Sequence, residues 1–132
     1  MSIIANKLNY KKMTVRGLLL MSLLAGTSAF ALDTKSTAKL NGTDYAIGEN
    51  INVWDGSAYV SATNNNVIYG DIAATIKKSL TLLPDPVQWN KIVPAGGSFS
   101  RTKISLPDES TYYAEASSNI SKAYGVVTLQ SD

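Results

Sequence analysis

Beyond residue 31 the chain alternates apolar and polar positions in short runs, each interrupted by turn-forming residues. Ala38 and Leu40 lead into Asn41-Gly42, and a second run over 43–47 follows. Asn-Gly is the strongest two-residue hairpin signal, because both residues tolerate positive φ, so a hairpin is expected there. Ile51 and Val53 share one strand face. Asp55-Gly56 supplies a second hairpin turn, after which Ala58, Val60 and Ala62 alternate against Tyr59, Ser61 and Thr63. Asn64-Asn65-Asn66 is too polar for a strand interior and reads as a loop. Val67, Ile68 and Tyr69 read as a short strand before Gly70.

The segment 72–83 fits two periods. Ile72, Ala74, Ile76, Leu80 and Leu82 fall on one face of a strand, whereas Ile72, Ile76, Leu80 and Leu83 fit helical spacing with Asp71 as N-cap. Its β-branched residues and its neighbours favour the strand. Pro84-Asp85-Pro86 ends the element either way, because proline donates no backbone hydrogen bond. Further strands are expected over 87–93 around Trp89, over 98–106, over 111–117 with Tyr112, Ala114 and Ala116 on one face, and over 124–129. Phe99 has the opposite parity to Ile104 and Leu106, and a bulge near Arg101 reconciles them. Seven or more short strands, about ten residues apart, predict a small antiparallel β-sandwich.

One stretch is more specific. Leu106-Pro107-Asp108-Glu109-Ser110-Thr111-Tyr112-Tyr113-Ala114-Glu115-Ala116 resembles the corner entering the penultimate strand of fibronectin type III and related immunoglobulin-like domains. There a leucine precedes a turn and a tyrosine heads an alternating strand. Ala123 to Leu129 is similar to the closing strand of that fold. The resemblance covers about the last quarter of the chain and implies an all-β, immunoglobulin-like sandwich. It also implies that Tyr112 ties the corner by bonding its hydroxyl to upstream backbone. Trp54 lies beside a turn and Trp89 falls late, so the early core tryptophan of fibronectin domains has no counterpart here.

The first 31 residues follow different rules. Lys7, Lys11, Lys12 and Arg16 precede the apolar run 17–25, which is too short for a membrane span of about 20 residues, and the segment closes on Ala29-Phe30-Ala31. This is the pattern of a secretory signal peptide cleaved before Leu32. The expected organisation is therefore a leader at 1–31 and one sandwich domain at 32–132, secreted into an extracellular or periplasmic space with no stable membrane anchor. Four of the 12 Lys+Arg belong to the leader, which leaves eight cations against ten acidic residues, a formal charge of −2. With no basic stripe for phosphates, nucleic acid is not an expected partner.

The chain has no Cys and no His, which excludes disulfide scaffolds, thiolate or imidazole zinc sites and histidine-based triads. Ser36 with Lys39 and Ser100 with Lys103 match Ser-x-x-Lys. Three-residue spacing puts such partners on opposite faces of a strand, so no nucleophile follows. Asp108 and Glu109 share a turn, and Glu115 is expected to face solvent. The Asn50, Asn52, Asp55, Gly56 set misses calcium-loop spacing. No catalytic residue, cofactor or metal is therefore expected. The better candidates are aromatic and amide side chains, which bind proteins or glycans with large area and little entropy cost: Trp54, Tyr59, Asn64, Asn65, Asn66 and Tyr113. The expected function is a secreted non-enzymatic module binding a protein, a glycan or a cell-envelope component. The alternatives are a bacteriocin-like antagonist of the lactococcin type and a self-assembling extracellular subunit.

Overall fold

Alternation becomes pairing in the computed structural model, which describes residues 34–131. The expected leader and its cleavage point lie outside the described residues. Nine strands run in chain order: β1 (Lys35–Thr43), β2 (Tyr45–Ile47), β3 (Ile51–Val53), β4 (Ser57–Asn64), β5 (Ile72–Lys78), β6 (Val87–Val93), β7 (Ser98–Ser105), β8 (Ser110–Ser118) and β9 (Ala123–Ser131). They form two antiparallel sheets. One has the order β1-β9-β4-β7; in the other β8-β5-β6 is completed by β2 and β3, which pair in succession along the free side of β8. The all-β sandwich expected from the sequence is present.

The inward positions are those the alternation marked. Ala38 and Leu40, Ile51 and Val53, Ala58, Val60 and Ala62, Ile72, Ala74 and Ile76, and Tyr112, Ala114 and Ala116 are all buried, joined by Val127 and Leu129 of β9. Alanines facing Ile, Leu and Val let the sheets approach while the larger side chains fill the space between. Full burial of one such aliphatic side chain contributes about 1.5–3 kcal/mol. At the open side between β6 and β7, the rings of Trp89 and Phe99 meet edge to face at 5.9 Å, with the Lys91 ammonium 4.8 Å from the Phe99 centroid.

The connections differ from expectation. Neither Asn41-Gly42 nor Asp55-Gly56 makes a hairpin. β1 continues through Gly42 (φ 77°), where the register against β9 shifts between Ala123 and Tyr124, so Gly42 supplies a bulge. β3 and β4 lie in different sheets, so Asp55-Gly56 is a corner between layers. Positive φ serves a bulge or a corner as readily as a hairpin. The only hairpin between neighbouring paired strands among the described residues is β5–β6. Val67, Ile68 and Tyr69 form no strand, and β5 stops at Lys78. Residue 72 onward is thus strand, as favoured, but shorter than the apolar pattern.

The bulge near Arg101 is present. Val60 pairs with Thr102 and Ala62 with Phe99, so Ser100 and Arg101 together oppose Ser61, and Arg101 takes φ 40°. The Tyr112 hydroxyl donates to the Asp108 carbonyl at 2.7 Å, the corner bond that the resemblance implied. The strand order, however, is that of a jelly roll, two interleaved Greek keys across two sheets. In immunoglobulin-like domains the last two strands are neighbours in one sheet; here β8 and β9 belong to opposite sheets.

Candidate functional site

Crossing between sheets gathers the connecting loops at two ends of the sandwich. At one end are the loops 65–71, 94–97 and 119–122. Asn64, the last residue of β4, is fully buried and organises them. Its Nδ2 donates to the carbonyls of Gly70 and Val93, both at 2.8 Å, and its Oδ1 accepts from the Asn66 amide at 2.9 Å. Its backbone closes a pair of bonds with Gly96 and Gly97. Asn66 is also buried; its Nδ2 donates to Gly70 and its Oδ1 accepts the Tyr124 amide, both at 2.9 Å. The Asp71 amide donates to Asn119 Oδ1, and Ser118 Oγ donates to the Asp71 carbonyl.

Asn64 and Asn66 are therefore not surface contact residues, contrary to expectation. Their amides are consumed in holding backbone carbonyls and N–H groups that would otherwise be buried without partners. Of the three, only Asn65 keeps an exposed side chain. The loop foot is tight: Gly70 has φ 105°, and a Cβ there would lie 2.5 Å from Ile120 Cδ1. From this clamped foot project Val67, Ile68 and Tyr69, which are 89%, 84% and 71% exposed. Sequence reasoning missed them as surface residues because three apolar residues before a glycine read as a strand. The available signal was their position between an amide-rich run and Gly70, too short to span a sheet.

At the opposite end lie the loops 54–56, 79–86 and 106–109, tied by the Leu106 amide donating to the Gly56 carbonyl and by Ser79 donating to Thr111. Trp54 stands 60% exposed at this end, and Leu82 and Leu83 are also exposed. The same loops carry four carboxylates, Asp55, Asp85, Asp108 and Glu109, with Lys78 Nζ 3.0 Å from Asp108 Oδ2. Tyr59 does not join Trp54 on one surface. It is half-buried on the outer face of its sheet, with the Arg101 guanidinium 4.0 Å from its ring centroid.

Tyr113 lies on the outer face of β8, as one of the Tyr112–Tyr113 pair must, and donates to Asp85 Oδ2 at 2.7 Å. Register places Tyr45 beside Ser117, Ile47 beside Glu115, and Thr75 on the far side of Glu115. Glu115 does not face solvent freely. It is buried beneath the Tyr45 hydroxyl, which donates to it, and both its oxygens lie 3.2 Å from Lys77 Nζ. Burial first, then hydrogen bonds to Glu115 and Asp85 respectively, raise the Tyr45 and Tyr113 hydroxyls well above the ordinary tyrosine value of 10.0. These groups stay protonated and donate.

Ser36, in one Ser-x-x-Lys match, is buried and its Oγ accepts the Ala114 amide at 3.0 Å, while Lys39 is exposed. Ser36 thereby satisfies β8 where β2 and β3 part. Among the described residues, no group of three or more acidic side chains gathers to hold a metal ion.

No family model and no curated protein matches the chain. Among solved structures, a chain of the Glycosylation Associate Protein (Gap123) complex from Streptococcus agalactiae is similar at 11% identity and a TM-score of 0.26. The match covers 76% of this chain and 26% of that one, so this chain spans about a quarter of its length.

Proposed function

We propose that the chain is an exported, non-enzymatic β-sandwich module that binds a component of the cell envelope through the loop end that carries Val67, Ile68 and Tyr69. The observation that carries this reading is the pairing of exposed apolar side chains with rigid support: Val67, Ile68 and Tyr69 project from a foot clamped by two buried asparagines. Apolar side chains scattered over a surface need no explanation, but a contiguous group held out by buried polar bonds calls for a contact. The basic, apolar and small-residue succession of the first 31 residues supports export. Kinship with fibronectin type III and immunoglobulin-like domains is supported at the Tyr112 corner alone.

The test is direct. Protein recovered after export is sequenced from its N-terminus, labelled, and mixed with envelope fractions of the host. The expected results are a start at Leu32 and saturable binding that a serine-substituted 67–69 tip weakens without lowering the melting temperature. Absence of saturable binding to every fraction would retire this reading.

A further inference from the structure

The two loop ends differ in charge as well as in shape. The end built from 54–56, 79–86 and 106–109 carries Asp55, Asp85, Asp108 and Glu109, and its exposed apolar residues stand among those carboxylates. The other end is nearly bare of charge. The loop 65–71 has only Asp71, at its foot; the loop 94–97 has none; the loop 119–122 has Lys122; and Asp44 sits at the adjoining β1–β2 corner. The projecting Val67, Ile68 and Tyr69 thus form an uncharged apolar tip at the less charged end of the sandwich.

We infer that this tip inserts shallowly into a lipid bilayer, with Val67 and Ile68 at the acyl boundary and Tyr69 at headgroup level. The inference deepens the envelope-binding reading by naming lipid as the component, and it rests on that reading. A specific protein interface buries about 800 Å² per partner, with a packed core and a polar rim. Three side chains flanked by Asn65 and Gly70, all but free of neighbours, offer a point and not such a patch. A bilayer needs no complementary shape. It accepts aliphatic side chains in proportion to their area and favours tyrosine, whose ring is apolar and whose hydroxyl stays hydrated, at the interface. The clamp fixes the tip in advance, so insertion orders little chain. The acidic far end then points away from the surface, which anionic lipid would repel.

The probe is protein-free vesicles of phosphatidylcholine, alone or with a quarter phosphatidylglycerol, mixed with protein recovered after export. Three variants accompany it: the triple Val67→Ser, Ile68→Ser, Tyr69→Ser; Trp54→Ala as control at the far end; and Tyr69→Trp. The expected result is weak reversible binding, no stronger than the roughly 10⁴ M⁻¹ of a single myristoyl chain. The triple variant should lose at least tenfold at an unchanged melting temperature, while Trp54→Ala binds normally. Tyr69→Trp emission should shift to the blue on vesicle addition, and salt should change binding little. Equal binding by the triple variant, or binding confined to anionic vesicles and abolished by salt, overturns the inference. Saturable binding to envelope fractions without binding to protein-free vesicles overturns it too, and leaves the broader reading standing with a protein or glycan as partner.

Discussion

Asn64 and Asn65 are adjacent and chemically identical, yet they sit in opposite environments, and mutation should separate them. Replacing Asn64 by Ala removes a donor from the Val93 carbonyl, one of two donors from the Gly70 carbonyl, and the acceptor of the Asn66 amide, all in a buried setting. Each unsatisfied buried group costs about 1–3 kcal/mol, so Asn64→Ala should lose about 2–4 kcal/mol in urea unfolding. Asn65→Ala should stay within about 0.5 kcal/mol. The tyrosines give a pH signature. Tyr45 and Tyr113 hold their protons more tightly folded than unfolded, and Tyr112 does so as well, chiefly through burial. Their stabilisation is complete below pH 10 and is lost as pH rises from there through the folded values. Unfolding free energy should therefore fall with pH above about 10, and the Tyr45→Phe, Tyr113→Phe double variant should show a shallower fall. Burial of the amides was not legible in the sequence, because a run of three asparagines signals surface by composition, and only its partners reveal an interior role.

At the level of strands, the period-2 pattern gave the inward face of almost every element, and even the Arg101 bulge followed from the conflict between Phe99 and Ile104. Sheet membership did not follow. Asn41-Gly42 and Asp55-Gly56 announce positive φ, but that backbone state is shared by hairpins, bulges and corners between layers. The bulge itself can be tested. Deleting Arg101 leaves Phe99 and Ile104 an even number of residues apart, so β7 can pair with β4 as a regular strand and keep both on the inner face. That deletion should therefore be tolerated, and so should Arg101→Gly: relief of a left-handed residue, about 1–2 kcal/mol, offsets the lost stacking on Tyr59, about 0.5–1 kcal/mol. Chemical denaturation of both variants checks this, and strong destabilisation by the deletion would show that the bulge is needed for more than parity. The 67–69 tip was hidden for the same reason as the corners, since residues suited to a strand were placed where no partner strand exists.

Across the whole molecule, nearly every connection passes from one sheet to the other, the exceptions being the β2–β3 break and the β5–β6 hairpin. Contacts are therefore made mostly between distant parts of the chain, and closing those loops must precede their reward. Refolding after dilution from urea should take about milliseconds to seconds, as for other β-sandwiches, and stopped-flow tryptophan fluorescence will measure it. With no cysteine to staple the chain, its equilibrium stability should be insensitive to reductant and rest on the buried aliphatic layer.

The placement of β9 carries a further consequence. The last of the described strands lies in mid-sheet, bonded to β1 on one side and β4 on the other. A product that stops before Ala123 leaves β1 and β4 without their shared partner and cannot complete this sheet. Folding is thereby held back until the β9 segment is available, and copies that stop short of it are left as substrates for proteases.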